Sequence, residues 1–439
     1  MSTLAEVRLW GRTIGAVSAD DSQPYAAFEY APEFLTSGIQ LSPFAMPLAA
    51  SIYRFPELSL KSFHGLPGLL ADSLPDRFGT AVIDAWLASQ GRSADSFNAV
   101  ERLCYIGRRG MGALEFHPTA GPRHSPSRSL QVESLVTLAS EVLSERDRLR
   151  TSFDEEERAE AMREILRVGT SAGGARAKAV IAWNPTTNEV RSGQTDEDGF
   201  EYWILKLDGV HGNRDKELDD PLGYGTIEYA YHLMATAAGI EMAPCRLLEE
   251  GGRRHFMTRR FDRVRRDDGR PDKLHMQSLG ALAHYDYNQA GAHSYEQTLL
   301  ILRTLELEMA TVEQFFRRIA FNVLARNQDD HVKNIAFLMD RRGRWSLSPA
   351  FDLTYSYNPN GAWTSSHQMT LNGKRDNFTL EDFRECAKTA SMKRGRAESL
   401  LEEVDATVRR WPEFASAAAV DEISTHRISK ALRSIGDLA

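Results

Sequence analysis

Cysteine is scarce in this chain of 439 residues: Cys104, Cys245 and Cys386 are the three present. They are odd in number, far apart and without C-x-x-C spacing, which excludes a disulfide framework and a zinc site of the usual kind and suits a reducing cytoplasm. Positive charge is short as well. With 53 Lys and Arg against 61 Asp and Glu the formal net charge is −8, so the overall field does not draw the molecule onto nucleic acid or an anionic membrane. No apolar run reaches the roughly 18 residues that a membrane span requires. Residues 1–12 lack the apolar stretch of a signal peptide, so secretion and anchoring are not expected. Internal repeats and low-complexity tracts are missing too.

What is present is the make-up of a soluble globular protein, 42% hydrophobic and 26% charged, in a chain long enough for two or three domains. The expected divisions are a strand-rich module over 1–125 with one or two helices, a second region over 126–262 and a helical region over 263–439. A Gly-, Pro- and Ser-containing stretch, Thr119 to Arg128, reads as a linker. Helices are predicted over 130–150, 154–167, 227–238, 295–305, 312–326, 380–387 and 396–409, the second opened by the capping box of Ser152 and Glu155. Strands are predicted over 177–183, 202–207, 245–248, 255–260, 335–339 and 345–347.

The sharpest signal is Asn327-Gln328-Asp329-Asp330-His331-Val332-Lys333-Asn334, followed by a predicted hairpin and then Phe351-Asp352-Leu353. Hairpin ends lie close together, so Asp329, Asn334 and Asp352 can converge. Phosphoryl transfer asks for such a set: a carboxylate to deprotonate the attacking hydroxyl and hard oxygens to hold magnesium against phosphates. The Asp-x-x-x-x-Asn step is the spacing that protein kinases use for base and metal ligand. Two rivals stand beside this reading. Asp329 and Asp330 can simply solvate a turn, or join His331 in a metallohydrolase centre.

A second signal is Val168-Gly169-Thr170-Ser171-Ala172-Gly173-Gly174-Ala175-Arg176-Ala177-Lys178, where glycines let backbone amides approach phosphate oxygens and Lys178 adds charge. Its spacing is not that of a Walker A loop, and a strand rather than a helix follows. Lys206, closing the apolar run Tyr202 to Leu205, needs a partner; ATP phosphates, Glu228 on the next helix, or solvent at the strand end would serve. The basic run Arg253, Arg254, Arg259, Arg260, Arg263, Arg265 and Arg266, interleaved with Asp262, Asp267 and Asp268, reads as a solvated face, and the cysteines read as core.

Taken together, Leu74-Pro75-Asp76, Ile106 to Ala113, Ser171 to Lys178, Leu205-Lys206-Leu207, Arg260-Phe261-Asp262-Arg263, the Asp329 to Asn334 loop, Phe351-Asp352 and Leu371-Asn372-Gly373-Lys374 resemble the HipA-type serine/threonine kinases of bacterial toxin–antitoxin systems. The resemblance implies an α+β, bilobed fold similar to protein and lipid kinases, with an extra strand-rich N-terminal module and a helical C-terminal lobe. Asp329 would be the catalytic base, Asn334 and Asp352 the magnesium ligands, and Lys206 the phosphate-binding lysine. ATP would lie among Gly173, Gly174, Ala175, Arg176, Ala177, Lys178, Arg259, Arg260, Phe261, His331, Val332, Lys333 and Phe351. Ser171 matches the serine that such kinases phosphorylate on themselves, with Thr170 as the adjacent alternative. The resemblance also implies an aminoacyl-tRNA synthetase as protein substrate, and a small helix-turn-helix antitoxin through which DNA is contacted. The chain departs from the best-known members in carrying Gly174-Ala175-Arg176-Ala177 where they have polar and acidic residues, and Arg259 where they have an acidic one. An antibiotic-type small-molecule phosphotransferase and a pseudokinase binding module remain alternative readings.

Overall fold

The computed structural model describes residues 2–20, 22–120, 131–144, 165–166, 168–169, 176–192, 199–210, 223–265 and 271–438. Its first part is an antiparallel sheet of β1 (Ser2–Leu9), β2 (Arg12–Asp20), β3 (Ala27–Tyr30), β4 (Ile52–Tyr53) and β5 (Leu114–His117), in the order β4-β3-β2-β1-β5. Alternating burial along these strands, broken by a register shift at Val7/Arg8, places Val7, Leu9, Val17 and Phe28 in one core with helix Ala99–Ile106. Helices are more numerous here than expected. Besides Arg77–Ser89 and Ala99–Ile106 there are three single turns, Pro32–Leu35, Leu60–Phe63 and Gly68–Ala71, too short to carry a helical period in the sequence.

A second antiparallel sheet follows, made of β6 (Lys178–Trp183), β7 (Val190–Ser192), β8 (Glu201–Lys206), β9 (Cys245–Glu250) and β10 (Arg253–Arg259), in the order β7-β6-β8-β10-β9. β9 and β10 form the expected hairpin across Gly251 and Gly252, both at positive φ, a conformation that glycine adopts without a Cβ penalty. All the β6 side chains are buried, and Ala179, Ile181 and Trp183 on one face share a core with helix Val132–Ser144 and with Phe78, Ala81 and Val82 from the first part of the chain. Residues on both sides of position 125 therefore share this core.

The last part is helical, and its core is built around Met309–Leu324. Phe315, Phe316, Ile319 and Val323 form the apolar stripe of that helix, buried against Arg396–Val408 and Tyr295–Thr304. Each such side chain contributes about 1.5–3 kcal/mol relative to exposure. Helix Tyr224–Ala237 buries Ile227, Tyr231 and Met234 in the same core. A three-stranded sheet, β13 (His275–Ser278), β14 (Ala336–Met339) and β15 (Trp345–Leu347), contains the hairpin expected after the acidic loop. The short hairpin of β11 (Arg263–Arg265) and β12 (Pro271–Lys273) and helices Trp411–Ala417 and Glu422–Ala431 are additions to the expected elements. The architecture is thus α+β: a strand-containing lobe and a helical lobe, preceded by a strand-rich module.

The linker over 121–128, the helix over 154–164 with its Ser152 capping box, and loop residues Thr170, Ser171, Gly173, Gly174 and Ala175 lie outside the described residues. All three cysteines are buried, as expected of core residues. The basic run is not uniformly solvated. Arg260 and Arg263 are buried around Asp262, which accepts from Arg260 Nη2 at 2.7 Å, from Arg263 Nη1 at 2.6 Å and from the Gly112 backbone N–H at 2.7 Å. Both arginines also donate to the Gly110 carbonyl at 3.1 Å. Burial alone would raise the Asp262 pKa; the two guanidiniums reverse this and hold it well below the usual carboxylate range. The expectation failed because a buried three-way pair has the same interleaved signs as a solvated face.

Candidate active site

Helix Met309–Leu324 is capped by Ala325 and followed by Arg326, whose φ of 56° turns the chain into the acidic loop. Asn327 and Gln328 are buried and Asp330 is sealed, so the loop is anchored from beneath. Asp330 accepts from the Tyr295 hydroxyl, from His367 Nδ1 at 2.8 Å and from the Gln368 backbone N–H at 2.7 Å. Burial would raise its pKa, but the His367 ring and these donors hold it below the ordinary value. Asp330 is therefore consumed by the structure, which removes it from the metallohydrolase trio.

Asp329 faces the other way, with its side chain 36% exposed. Its Oδ1 accepts from Trp363 Nε1 at 2.7 Å and lies 3.7 Å from His331 Nε2. Asn334 Nδ2 donates to the Asp329 carbonyl at 2.8 Å, which turns its Oδ1 away from that contact. His331 stands between Trp363 and Tyr287, with ring centroids 6.3 and 5.7 Å away. Lys333 lies over Tyr287 at 4.9 Å from the ring centroid, while the Val332 side chain is core. Nothing in the sequence near Asp329 signals Trp363, because it is brought in by a loop after Asp352.

The other wall comes from the β6–β8 pair. Lys178 and Lys206 are register partners across these antiparallel strands, which places two ammonium groups side by side on one face. Like charges so placed repel unless an anion lies between them. Lys206 donates to both Glu228 and Asp352, and Lys178 Nζ is 4.0 Å from Asp352 Oδ2. Glu228 is thus the ion-pair partner of Lys206 rather than only a helix-dipole residue. Burial would raise the Asp352 pKa, but Lys206 and then Lys178 bring it far below the usual range. Burial would lower that of Lys206, but Asp352 and Glu228 reverse the direction and raise it. Asp352 itself has φ of 52°, a left-handed conformation that aspartate tolerates better than branched residues and that directs it toward the lysines.

At the back of the cleft the Phe261 and Phe351 rings lie 5.7 Å apart. Arg259 pairs with Glu201 at 3.6 Å on the surface. The backbone N–H groups of Arg259 and Arg260 are taken by the Pro244 and Tyr202 carbonyls, and Arg260 Nε and Nη2 donate to Asp262, with the side chain buried. Arg176 lies over the Tyr224 ring, and Ala177 is buried in the core under the sheet.

Comparison with known proteins shows the family to which the chain belongs. Residues 170–411 match the HipA-like C-terminal domain and residues 5–117 the HipA N-terminal domain. A Sinorhizobium fredii protein, Y4mE, named provisionally as a kinase, is 30% identical over 136 residues, 29% of this chain and 32% of its own length. A Haemophilus influenzae protein with a similar provisional name is 33% identical over 105 residues, 22% of this chain and 29% of its own. The chain thus spans about a third of the length of these relatives. The HipA chain of Shewanella oneidensis, solved with HipB and operator DNA, superposes with a TM-score of 0.69 over 99% of this chain and 96% of that one, at 17% identity. With its acidic loop, paired lysines and N-terminal sheet all in place, this chain belongs to the HipA family.

Proposed function

We propose that this protein transfers the γ-phosphoryl group of ATP to a serine or threonine hydroxyl on a protein, with magnesium as the metal. The observation that carries the reading is the pair of register-partnered lysines on β6 and β8 that both face Asp352. Two buried ammoniums on one strand face are a costly arrangement for a scaffold, but a fitting one for the β- and γ-phosphates of a nucleotide.

Asp329 has one oxygen held by Trp363 and a half-open side chain, so its Oδ2 can accept the proton of an incoming hydroxyl. Trp363 fixes the carboxylate so that little reorganisation is needed. Asn334 Oδ1 and the Asp352 carboxylate supply the hard oxygens that magnesium prefers, the remainder coming from phosphate and water. Magnesium, when bound, offsets the phosphate charge as the bond to the leaving oxygen lengthens. Lys206 stays tethered by Glu228 and can lean from Asp352 toward the phosphates. Phe261 and Phe351 flank the position for the base. Self-phosphorylation at Ser171 would add about −1.5 to −2 charge beside the same phosphates and oppose nucleotide binding.

The toxin role, an aminoacyl-tRNA synthetase as substrate, and a small helix-turn-helix partner complete the reading. The net charge of −8 favours DNA contact through that partner rather than directly, and the Shewanella structure contains HipA, HipB and DNA together. The test is incubation of the purified protein with γ-labelled ATP and magnesium, alone and with lysate. Label is expected on the protein and on a lysate protein, and is expected to be lost in Asp329→Ala. Equal labelling by wild type and Asp329→Ala, or none by either, overturns the kinase reading. Ser171→Ala should lose self-labelling and keep transfer, with mass spectrometry locating the site.

A further inference from the structure

Trp363 reaches Asp329 from 34 residues further along the chain, and their contact at 2.7 Å is only as firm as the segment that carries the indole. That segment, residues 361–368, is turn and irregular backbone, with no helix or strand to hold it. Gln368 holds it instead. Its backbone N–H donates to Asp330 Oδ1 at 2.7 Å, and its carbonyl accepts from the Gly291 N–H at 2.8 Å. Its side-chain Nε2 donates to the Trp363 carbonyl, and to the Ser366 and Gln328 carbonyls at 3.1 and 3.4 Å.

Three carbonyl oxygens around one terminal atom settle which end of the amide faces them, because the opposite orientation would set oxygen against oxygen. Gln368 is 3% exposed. A core position of that size is filled more cheaply by leucine or methionine, which bring no amide to desolvate, so packing alone does not account for glutamine here. The contacts close a ring: Asp329 to Trp363, Trp363 to Gln368, Gln368 to Asp330, and Asp330 back to Asp329 through one peptide bond. The Gly291 contact ties in the segment that carries Tyr287. Both rings flanking His331, those of Trp363 and Tyr287, thus stand on segments fastened to Gln368.

We propose that Gln368 is a positioning residue for the catalytic base: by holding the Trp363 carbonyl against the acidic loop, it aims the indole N–H at Asp329 Oδ1 and leaves Oδ2 to the incoming hydroxyl. This rests on the kinase reading given above. Gln368 touches no reacting atom; it acts through Trp363. Asp330 gains a role from the same ring, since it anchors the segment that steadies its neighbour.

Methionine has the length of glutamine without its donors, so Gln368→Met removes the bonds and keeps the bulk. It should lower kcat by about tenfold to a hundredfold, the scale of a slightly misplaced catalytic group, with KM for ATP unchanged. Trp363→Phe, at a half-buried position that tolerates the change, should lower kcat to a similar extent. In the Trp363→Phe background, Gln368→Met should add less than about twofold, because the two act in series. Wild-type kcat in either single variant, a change confined to KM, or an equal fold-loss from Gln368→Met in both backgrounds overturns the proposal. A second measurement needs no transfer activity: solvent exchange of the tryptophan indole protons, read by NMR on 15N-labelled protein, with Trp363 assigned by its loss in Trp363→Phe. Gln368→Met should speed exchange at Trp363 several-fold and leave the other indoles as they are. Unchanged exchange at Trp363 overturns the proposal, whereas absence of transfer in the wild type counts against the kinase reading.

Discussion

The acidic loop and the β6–β8 strand pair bring charge to one cleft by opposite means. In the loop, Asp330 is neutralised entirely within its own lobe, by Tyr295, His367 and the Gln368 backbone, and its neighbour Asp329 is left open. In the strands, Lys178 and Lys206 are balanced partly from across the cleft, by Asp352, which lies 146 residues beyond Lys206 in the chain. The first arrangement makes a rigid ledge from local parts. The second makes the charge balance of one lobe depend on the other.

Three measurements would break or sharpen that contrast. The largest effect is expected from Asp330→Ala, which leaves His367 and Tyr295 buried without their acceptor and should cost about 3–5 kcal/mol in urea unfolding. Asp329→Ala, one residue earlier, should shift the midpoint by less than about 0.5 kcal/mol. If the two shift it equally, the loop is not divided as described. Next is Asp352→Asn. Lys206 keeps Glu228, so the midpoint should move far less than in Asp330→Ala, while transfer should fall by about 10²–10³-fold. A stability loss as large as that of Asp330→Ala would show the strand pair to be as self-contained as the loop.

The third measurement is the dependence of stability on pH. Burial depresses His255 to about 4, His275 to about 3 and His284 to about 4, from an ordinary 6.5. The unfolded chain then takes up protons below pH 6.5 that the folded chain refuses, so stability should fall from pH 6.5 towards 4, by at most about 1.4 kcal/mol per unit for each histidine. Asp76, raised to about 7, opposes this, because its folded form binds a proton earlier. His284 accepts from the Gly68 backbone N–H at 3.0 Å, a bond its protonated form cannot make. Urea midpoints that rise between pH 6.5 and 5 would contradict the assignment of neutral buried histidines.

Much of the fold was legible where the signal is local. The helices around 295–305, 380–387 and 396–409 and the hairpin after the acidic loop stand close to where periodicity and turn residues put them. Helix Trp411–Ala417 escaped notice because its seven residues are too few to show a helical period, and Glu422–Ala431 because it is mostly polar, with little apolar stripe to read. At the site, the spacing of Asp329, Asn334 and Asp352 was readable because a single hairpin joins them. Trp363 was not, since only the fold returns its loop to Asp329. Burial of Arg260 and Arg263 was hidden for the same reason, because the Gly110 carbonyl they share comes from the first part of the chain.

The span from Lys206 to Asp352 also has a meaning in time. A ribosome adding about 5–20 residues per second needs roughly 7 to 30 s to travel those 146 positions. During that interval the strand pair can form and Lys206 can find Glu228, only 22 residues on, but the carboxylate that both lysines share has not been made. A nascent chain therefore passes through a stage with its sheet assembled and the carboxylate shared by its two lysines still to come.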